Sequence, residues 1–397
     1  MRHVLITAGC VYGKLDDNKL VGNRIRGIWA TKFACWLAQR GYSITLLLPD
    51  IFDKASLEKT MRESFPVVIL PNEPRPTFFN VLYHDGYQSY ADRCYELAPK
   101  ADAAVMAAAV VNWIPKEPFK GKMPTEGFKE GDVQNIPFIL APRVIDRMRK
   151  LNSKLTLIAC KMTSGATPEH TVEAAYKTLE GARCHAVVAN DLKHLKDKTL
   201  VYPDGSQFTY GGQFGALYEE LKAIIDDQHY RTEAEYSPNV PVPSPSEVAD
   251  ARSRMARIIE RYRSRFQHPF DGMTRVFGSI AVRVGSSYLV SPREKEQMWT
   301  ADEAVLVTHF KQGTVYTRDG SKASLNAPLM MRHLDQFKDR SQAVLHLHGP
   351  VLESAAIEKH APPGTYRDND RIIPAPRYNI EGHGFIVSLD DNNEFIH

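Results

Sequence analysis

Disulfide chemistry is the first thing this sequence has no means to build. Its five cysteines, Cys10, Cys35, Cys94, Cys160 and Cys184, are odd in number, widely scattered and free of any Cys-x-x-Cys spacing. They offer neither a disulfide framework nor a zinc ribbon, and are expected as reduced thiols in a cytoplasmic protein. Long hydrophobic runs are missing too. The longest, Ala103 to Val111, falls far short of the roughly 20 apolar residues that span a bilayer. The N-terminal MRHVLITAG enters a strand pattern directly, so no signal peptide is expected. Charge of one sign is scarce: the net charge is +3 and acidic residues are interspersed nearly everywhere. No face is basic enough to predict a nucleic-acid or membrane partner. What remains is an ordinary globular composition, with 397 residues giving room for two separate cores.

The first half alternates strand and helix patterns. Apolar runs at Val4–Thr7, Ser43–Leu48, Val67–Leu70, Ala103–Val111, Leu155–Cys160 and Ala186–Ala189 predict buried strands. Helical spacing at Ile28–Arg40, Tyr87–Leu97, Pro142–Lys150, Thr171–Glu180 and Ala216–His229 separates them. This alternation predicts an α/β fold, with a Rossmann-like parallel sheet covered on both faces. Tyr236 to Ser246 carries four prolines and little that could pack, so residues 237–247 are expected as an extended linker between domains at 1–236 and 248–397. Beyond it an amphipathic helix, Ser246–Phe266, has Met255, Ile258, Ile259, Tyr262 and Phe266 as its apolar stripe and arginines on a solvated face. Strand patterns follow at Ser279–Val284, Ser287–Ser291, Ala304–Thr308, Val315–Thr317, Ala343–Leu347 and Gly384–Leu389.

Ala107 to Lys122, AAAVVNWIPKEPFKGK, carries the clearest chemistry of the first half. Alanines at a strand end let a flat ring or a phosphate approach the backbone, and Lys116, Lys120 and Lys122 supply mobile positive charge. Gly9 closes the first strand and lets backbone amides face a phosphate. Asn190 and Asp191 put polar groups at the carboxyl edge of the sheet, or else form an Asx turn that ends the strand. Together these predict a nucleotide pocket; the competing reading is a buried alanine strand beside a solvated basic loop.

In order along the chain, VLITAG at Val4–Gly9, NRIRGIWATKFACWLAQRGYSITLL from Asn23, MAAAVVNW at Met106–Trp113, the Lys120–Lys122 loop and VVANDL at Val187–Leu192 resemble the phosphopantothenate–cysteine ligase family over roughly residues 1 to 230. That resemblance implies a Rossmann-like, oligomeric carbon–nitrogen ligase. Such an enzyme activates a carboxylate with CTP, or ATP, and Mg²⁺, and then lets an amine attack the acyl-nucleotide. Its implied catalytic residues are Lys122 and Asn190. Its implied nucleotide contacts are Gly9, Arg26, Lys32, Ala107, Ala108, Ala109, Asn112, Lys120 and Asp191. The chain departs from the family pattern in places. Gly9-Cys10-Val11 stands for Gly-Gly-Thr, Gly27 for an asparagine and Asn112 for an aspartate, so either the substrate differs, or Asn23, Arg24 and Arg26 take over the anion contacts, or the site is inactive.

In the second half, His346-x-His348 lies in a strand pattern, where residues two apart share a face and both imidazoles converge. With His383 as third ligand and Glu381 in reserve, this predicts a Zn²⁺ or Mn²⁺ site. VFGSIAVRVGSSYLVSP at Val276–Pro292 and the run from Lys322 to Pro350 are similar to the class II aldolase/adducin family, which implies an α/β/α domain over about 250–397. Asn326 stands where that family has its acid/base carboxylate, and Leu325 replaces a serine beside Ser279 and Ser324. Two further functional expectations follow: a non-catalytic assembly protein, or a metal-dependent lyase or epimerase.

Overall fold

The computed structural model describes residues 1–51 and 78–396, apart from 236, 238, 269, 271, 272, 294 and 350. The strand expected at Val67–Leu70 lies outside the described residues. Two compact units emerge. One comprises Met1–Pro203 with Thr209–Ile225, the other Asp204–Phe208 with Asp226–His397. The division falls ahead of the proline-rich segment, because Arg231–Ala234 is already an edge strand of the second unit, parallel to Thr314–Thr317.

Strands buried on both faces set the first unit. Val4, Leu5, Ile6, Leu46, Leu47, Val105, Ile158, Val187 and Val188 are all at most 1 % exposed, so neither sheet face meets water. Neighbouring strands run in the order Thr199–Val201, Ala186–Asp191, Thr156–Thr163, Ala103–Met106, His3–Thr7, Ser43–Pro49 and Phe79–His84. All pair in parallel except Thr199–Val201, which is antiparallel to its neighbour. Helices Ile28–Ala38, Tyr87–Leu97, Val144–Leu151, Pro168–Ala182 and Phe214–Asp226 fall where helical spacing predicts them, with ends shifted by a few residues. Thr167 starts the fourth of these by accepting from His170 N, with Pro168 in the first turn where a missing N–H costs nothing.

The run Ala103–Val111 does not stay in one strand. It leaves the sheet after Met106, and Ala109–Val110 pairs in parallel with Cys10–Val11. The five cysteines are free thiols. Burial pushes Cys35, Cys94, Cys160 and Cys184 up to about 12, which keeps them protonated and inert.

The second unit is a nine-stranded sheet, largely antiparallel, and its alternating side chains feed two cores. Ile280, Val282, Leu345, Leu347, Phe385 and Val387 point to the face covered by helix Pro245–Tyr262 through Met255, Ile258 and Ile259. Ala281, Val290, Val344 and Ile386 point to the other face, covered by helix Ala327–Gln336 through Leu329, Met330 and Leu334. The result is an α/β/α layering. Ser244 and Glu247 form a reciprocal capping box at the start of the first of these helices. Two of its arginines are tied to protein acceptors: Arg254 to Asn393 and Asp390, and Arg261 to Glu394.

Candidate functional site

Topology places the first candidate site. Numbered as they occur in the chain, the six parallel strands lie in the order 3-2-1-4-5-6, and the order reverses between His3–Thr7 and Ala103–Met106. A crevice opens beyond the carboxyl ends of such a pair, where ligands of doubly wound sheets bind. Gly9 and Ala107–Ala109 stand at that point: Ala107 N donates to Thr7 O (3.2 Å), Ala108 N to Thr7 Oγ1 (3.2 Å) and Ala109 N to Gly9 O (2.8 Å). Helix Ile28–Ala38 begins against them. Gly27 precedes it at φ 77°, and a Cβ there would overlap Gly9 N, so the departure from asparagine is one that packing demands. No side chain caps this helix and no acidic residue lies in its first turn, which leaves its leading amides for an anion.

The side chains predicted around this crevice divide. Arg26, Lys32, Lys120 and Lys122 are exposed and reach into solvent. Asn23 donates to Ala109 O (3.1 Å) and Val110 O (3.2 Å), which fastens the helix-opening segment to the alanine strand. Asn112 is exposed, and its carbonyl accepts from Ala141 N (2.8 Å). Asp191 is buried with both oxygens engaged, by Thr163 Oγ1 (2.8 Å), Ala166 N (3.2 Å) and Lys193 N (2.9 Å). Those bonds, led by the Lys193 amide, hold its carboxyl well below the usual carboxylate range. Neighbouring Asn190 is 5 % exposed, and its Nδ2 has no partner among the described residues. Asp16 gave no signal in the sequence. Its carboxylate accepts from Met123 N (2.9 Å), Asn18 N (2.7 Å) and Lys19 N (2.6 Å), which pins one end of the lysine loop. The Met123 amide contributes most to bringing its carboxyl down to about 2.

The second candidate site lies within the second unit and is made of side chains. Strand pairing sets His346 opposite Ile386 on one face of the sheet, and His348 follows two residues on. His383 precedes strand Gly384–Leu389. Gly384 takes φ 146°, and a Cβ there would overlap Leu347 O, so only glycine lets the chain bring His383 this close. The three imidazoles offer ligand nitrogens within 4.8 Å of one another. His346 Nδ1 donates to Phe385 O (2.9 Å), leaving Nε2 unprotonated, buried and without a hydrogen-bond partner among the described residues. A carbonyl partner of this kind orients a metal-ligating histidine. His348 Nε2 and His383 Nε2 lie 3.2 Å apart. Two nitrogens bound tetrahedrally to one ion at about 2.0–2.1 Å sit roughly 3.3 Å apart, so the pair fits a shared cation.

Burial sets the protonation of this cluster. It takes His346 down to about 4 and His348 down to about 3, and pushes His383 well below the ordinary imidazole value. His346 and His348 are therefore neutral and able to ligate at pH 7. Glu381 is exposed and stays out of the cluster. Asn326 stands at the N-cap position of helix Ala327–Gln336 but its side chain makes no capping hydrogen bond, while Ser279 Oγ and Ser324 Oγ bond each other at 2.6 Å.

A second ligand group was not legible in the sequence: Asp204, His360 and His383 also bring ligand atoms within 4.8 Å. His360 Nε2 lies 2.9 Å from Asp204 Oδ2 and 2.8 Å from Ser206 Oγ. Burial alone would push the Asp204 carboxyl up. The facing imidazoles of His383 and His360 and the hydrogen bonds from His360 and Ser206 outweigh it, holding the group ionised, well below the usual carboxylate range. Asp368 and Arg371 pair nearby at 2.5 Å.

Comparison with known proteins bears on the first unit. The family described as DNA/pantothenate metabolism flavoprotein C-terminal domain matches residues 72–204, about a third of the chain. That span holds Ala107–Ala109, Asn112, Lys120, Lys122, Asn190 and Asp191, whereas Gly9, Arg26 and Lys32 precede it. The coenzyme A biosynthesis bifunctional protein CoaBC of Thermococcus kodakarensis is 24% identical over 197 residues, 48% of this chain and 42% of that protein. The chain thus spans less than half the length of this relative. Among solved structures, the DNA/pantothenate metabolism flavoprotein from Streptococcus pneumoniae overlaps 56% of this chain and 99% of its own, at 16% identity and a TM-score of 0.44. YgbL, a putative aldolase/epimerase/decarboxylase from Klebsiella pneumoniae, overlaps 36% of this chain and 79% of its own, at 15% identity and a TM-score of 0.26. No described helix is long and apolar enough to cross a membrane.

Proposed function

We propose that the first unit is a nucleotide-dependent ligase, with CTP favoured over ATP, that joins a small-molecule carboxylate to an amine. The observation that carries this reading is the reversal of strand order that gathers Gly9, Ala107–Ala109 and an uncapped helix start at one crevice. The family match over residues 72–204 and the likeness to a coenzyme A biosynthesis protein support the ligase class. A carboxylate oxygen attacks the α-phosphorus and pyrophosphate leaves; the amine then attacks the acyl carbon and the nucleoside monophosphate leaves. Gly9 and the leading amides of Ile28–Ala38 hold phosphate oxygens. Lys120 and Lys122 neutralise the charge that grows as pyrophosphate departs, with Arg26 and Lys32 drawing the polyanion in. The unpartnered amide of Asn190 donates to the acyl-nucleotide. Asn112 is an amide and both oxygens of Asp191 are engaged, so Mg²⁺ enters on the phosphates of the nucleotide itself.

Calorimetry with CTP, ATP and NAD, each with Mg²⁺, tests the site; heat with a nucleoside triphosphate supports it, and silence with all three overturns it. Pyrophosphate release with candidate acids tests the chemistry, and Lys122→Ala should lower that release by about 100-fold or more.

A second reading concerns the second unit and rests on the unpartnered His346 Nε2 facing two further imidazoles. His346, His348 and His383 fit a divalent ion such as Zn²⁺ or Mn²⁺. Bound there, it would polarise a substrate oxygen or stabilise the fold. Asn326 cannot move a proton at neutral pH, so standard retro-aldol chemistry lacks its acid/base at that position. Elemental analysis of protein purified without a histidine tag checks this, with His346→Ala expected to lose the ion.

A further inference from the structure

We propose that Lys198, with the side chains of Asn190 and Trp29, forms the pocket that holds the carboxylate of the acid substrate in the first unit. The inference rests on the ligase reading above and adds a fixed cation for the acid, apart from the exposed lysines assigned to the triphosphate.

Strand register builds the pocket. Ala189 pairs with Thr199 in an antiparallel ladder, so the next two residues, Asn190 and Lys198, stand side by side at the strand ends. Residues paired across a ladder share a face. On the neighbouring parallel strand Met162 is aligned with Asn190, and Cys160, two residues back, lies on that same face. Lys198 is 7 % exposed, and its Nζ stands 5.1 Å from the centre of the Trp29 ring. Trp29 belongs to the first turn of helix Ile28–Ala38, and its carbonyl accepts from the Tyr218 hydroxyl (3.2 Å) of helix Phe214–Asp226. The ring therefore links the lysine to the helix start that meets Gly9.

These side chains are all donors. Asn190 Nδ2 and Trp29 Nε1 are buried without a hydrogen-bond partner among the described residues. Lys198 has no carboxylate partner there either; its neighbours are the Trp29 ring and the Cys160 thiol. A cation–π contact offsets only part of the cost of burying an ammonium. Burial accordingly moves this amine below the usual lysine value, and an anion beside it would reverse that shift. Asp191, next after Asn190, points to the opposite face and is engaged by Thr163, Ala166 and Lys193, so it does not supply the counter-charge. One cation beside two neutral N–H donors matches one negative charge spread over two oxygens, which describes a carboxylate; a phosphate dianion calls for more positive charge. Because Trp29 belongs to the helix whose leading amides are assigned to phosphate, a carboxylate on Lys198 lies beside the nucleotide. One of its oxygens is held, and the other is free to attack the α-phosphorus.

The test titrates butyrate and inorganic phosphate into full-length protein and follows tryptophan fluorescence. Butyrate should change the emission saturably, and Trp29→Phe identifies the part of the signal that arises at the pocket. Lys198→Met, similar in length and uncharged, should weaken butyrate binding by about 10-fold or more. In the pyrophosphate-release assay it should raise KM for the acid, with CTP affinity by calorimetry retained. It should also raise the melting temperature, since it removes a buried charge that has no counter-ion; loss of a purely structural lysine would lower it. A lower melting temperature with unchanged butyrate affinity makes Lys198 structural and overturns the inference. A response to phosphate and none to butyrate overturns it too, as does a Lys198→Met protein that loses CTP and keeps butyrate. If CTP binds and butyrate leaves the emission unchanged, the inference fails alone. If the parent protein binds no nucleoside triphosphate, the ligase reading fails and this one with it.

Discussion

The two units build their candidate sites from opposite materials. In the first, the fixed parts are backbone: a strand-end turn at Gly9, the amides of an uncapped helix and an alanine strand, with exposed lysines as the mobile remainder. In the second, the fixed parts are buried side chains aimed at one another, each held by its own hydrogen bond or strand register. A backbone site survives side-chain drift, so Gly27 and Val11 can stand where the ligase pattern has polar residues without removing the backbone amides of the proposed phosphate site. A side-chain site tolerates no such drift, and every imidazole in it counts. Both depend on a glycine with positive φ, Gly27 against Gly9 and Gly384 against Leu347.

That shared dependence gives the largest effects. Gly384→Ala drives a methyl into the sheet backbone and should destabilise the second unit by about 3 kcal/mol or more, with loss of bound metal. Gly27→Ala should cost a similar amount in the first unit and abolish triphosphate binding. Differential scanning calorimetry with metal and nucleotide titrations reads both; wild-type affinity in either variant would break the comparison. Next comes His346→Ala, expected to take metal from one ion per chain to none while leaving nucleotide binding intact.

Acid should separate the units as well. Burial takes His84 in the first unit and His333 in the second from 6.5 down to about 4. Below pH 6.5 the unfolded chain binds a proton that the folded one refuses. Each such histidine therefore contributes stability above that pH, and the contribution falls away as the pH drops toward 4, by up to about 3 kcal/mol per group. In the metal-free protein His346 and His348 add to this in the second unit, whereas Asp368, raised by burial to about 6, opposes it there by taking its proton early in the folded state. Hydrogen exchange followed from pH 7 to 4 should show the second unit opening first; equal loss of protection in both would contradict this. The smallest effect is expected from Asp16→Ala, which frees Met123 N and should loosen the lysine loop. Triphosphate affinity should fall by about 10-fold or less, with faster proteolysis near Lys122 and an unchanged melting temperature.

Periodicity alone determined a good deal. Continuous apolar runs between helical stretches specify a parallel sheet because only a strand buried on both faces can be apolar throughout. His-x-His in a strand puts two imidazoles on one face by the two-residue repeat. These are local relations, and local relations are legible in sequence. Three further features were decided by tertiary structure. Asp204 and His360 are 156 residues apart and sit in loops with no periodic signal, yet hydrogen-bond at 2.9 Å because Asp204–Phe208 packs as part of the second unit. For Asp191 the sequence left open a ligand-facing acid or an Asx turn, and only the folded structure shows both of its oxygens engaged by Thr163, Ala166 and Lys193. The division between units was expected in the proline-rich segment and falls earlier, since Arg231–Ala234 finds a partner strand that no composition could reveal. Local chain geometry sets which residues share a face; what those faces meet depends on contacts between residues far apart in the chain, and only the folded protein contains them.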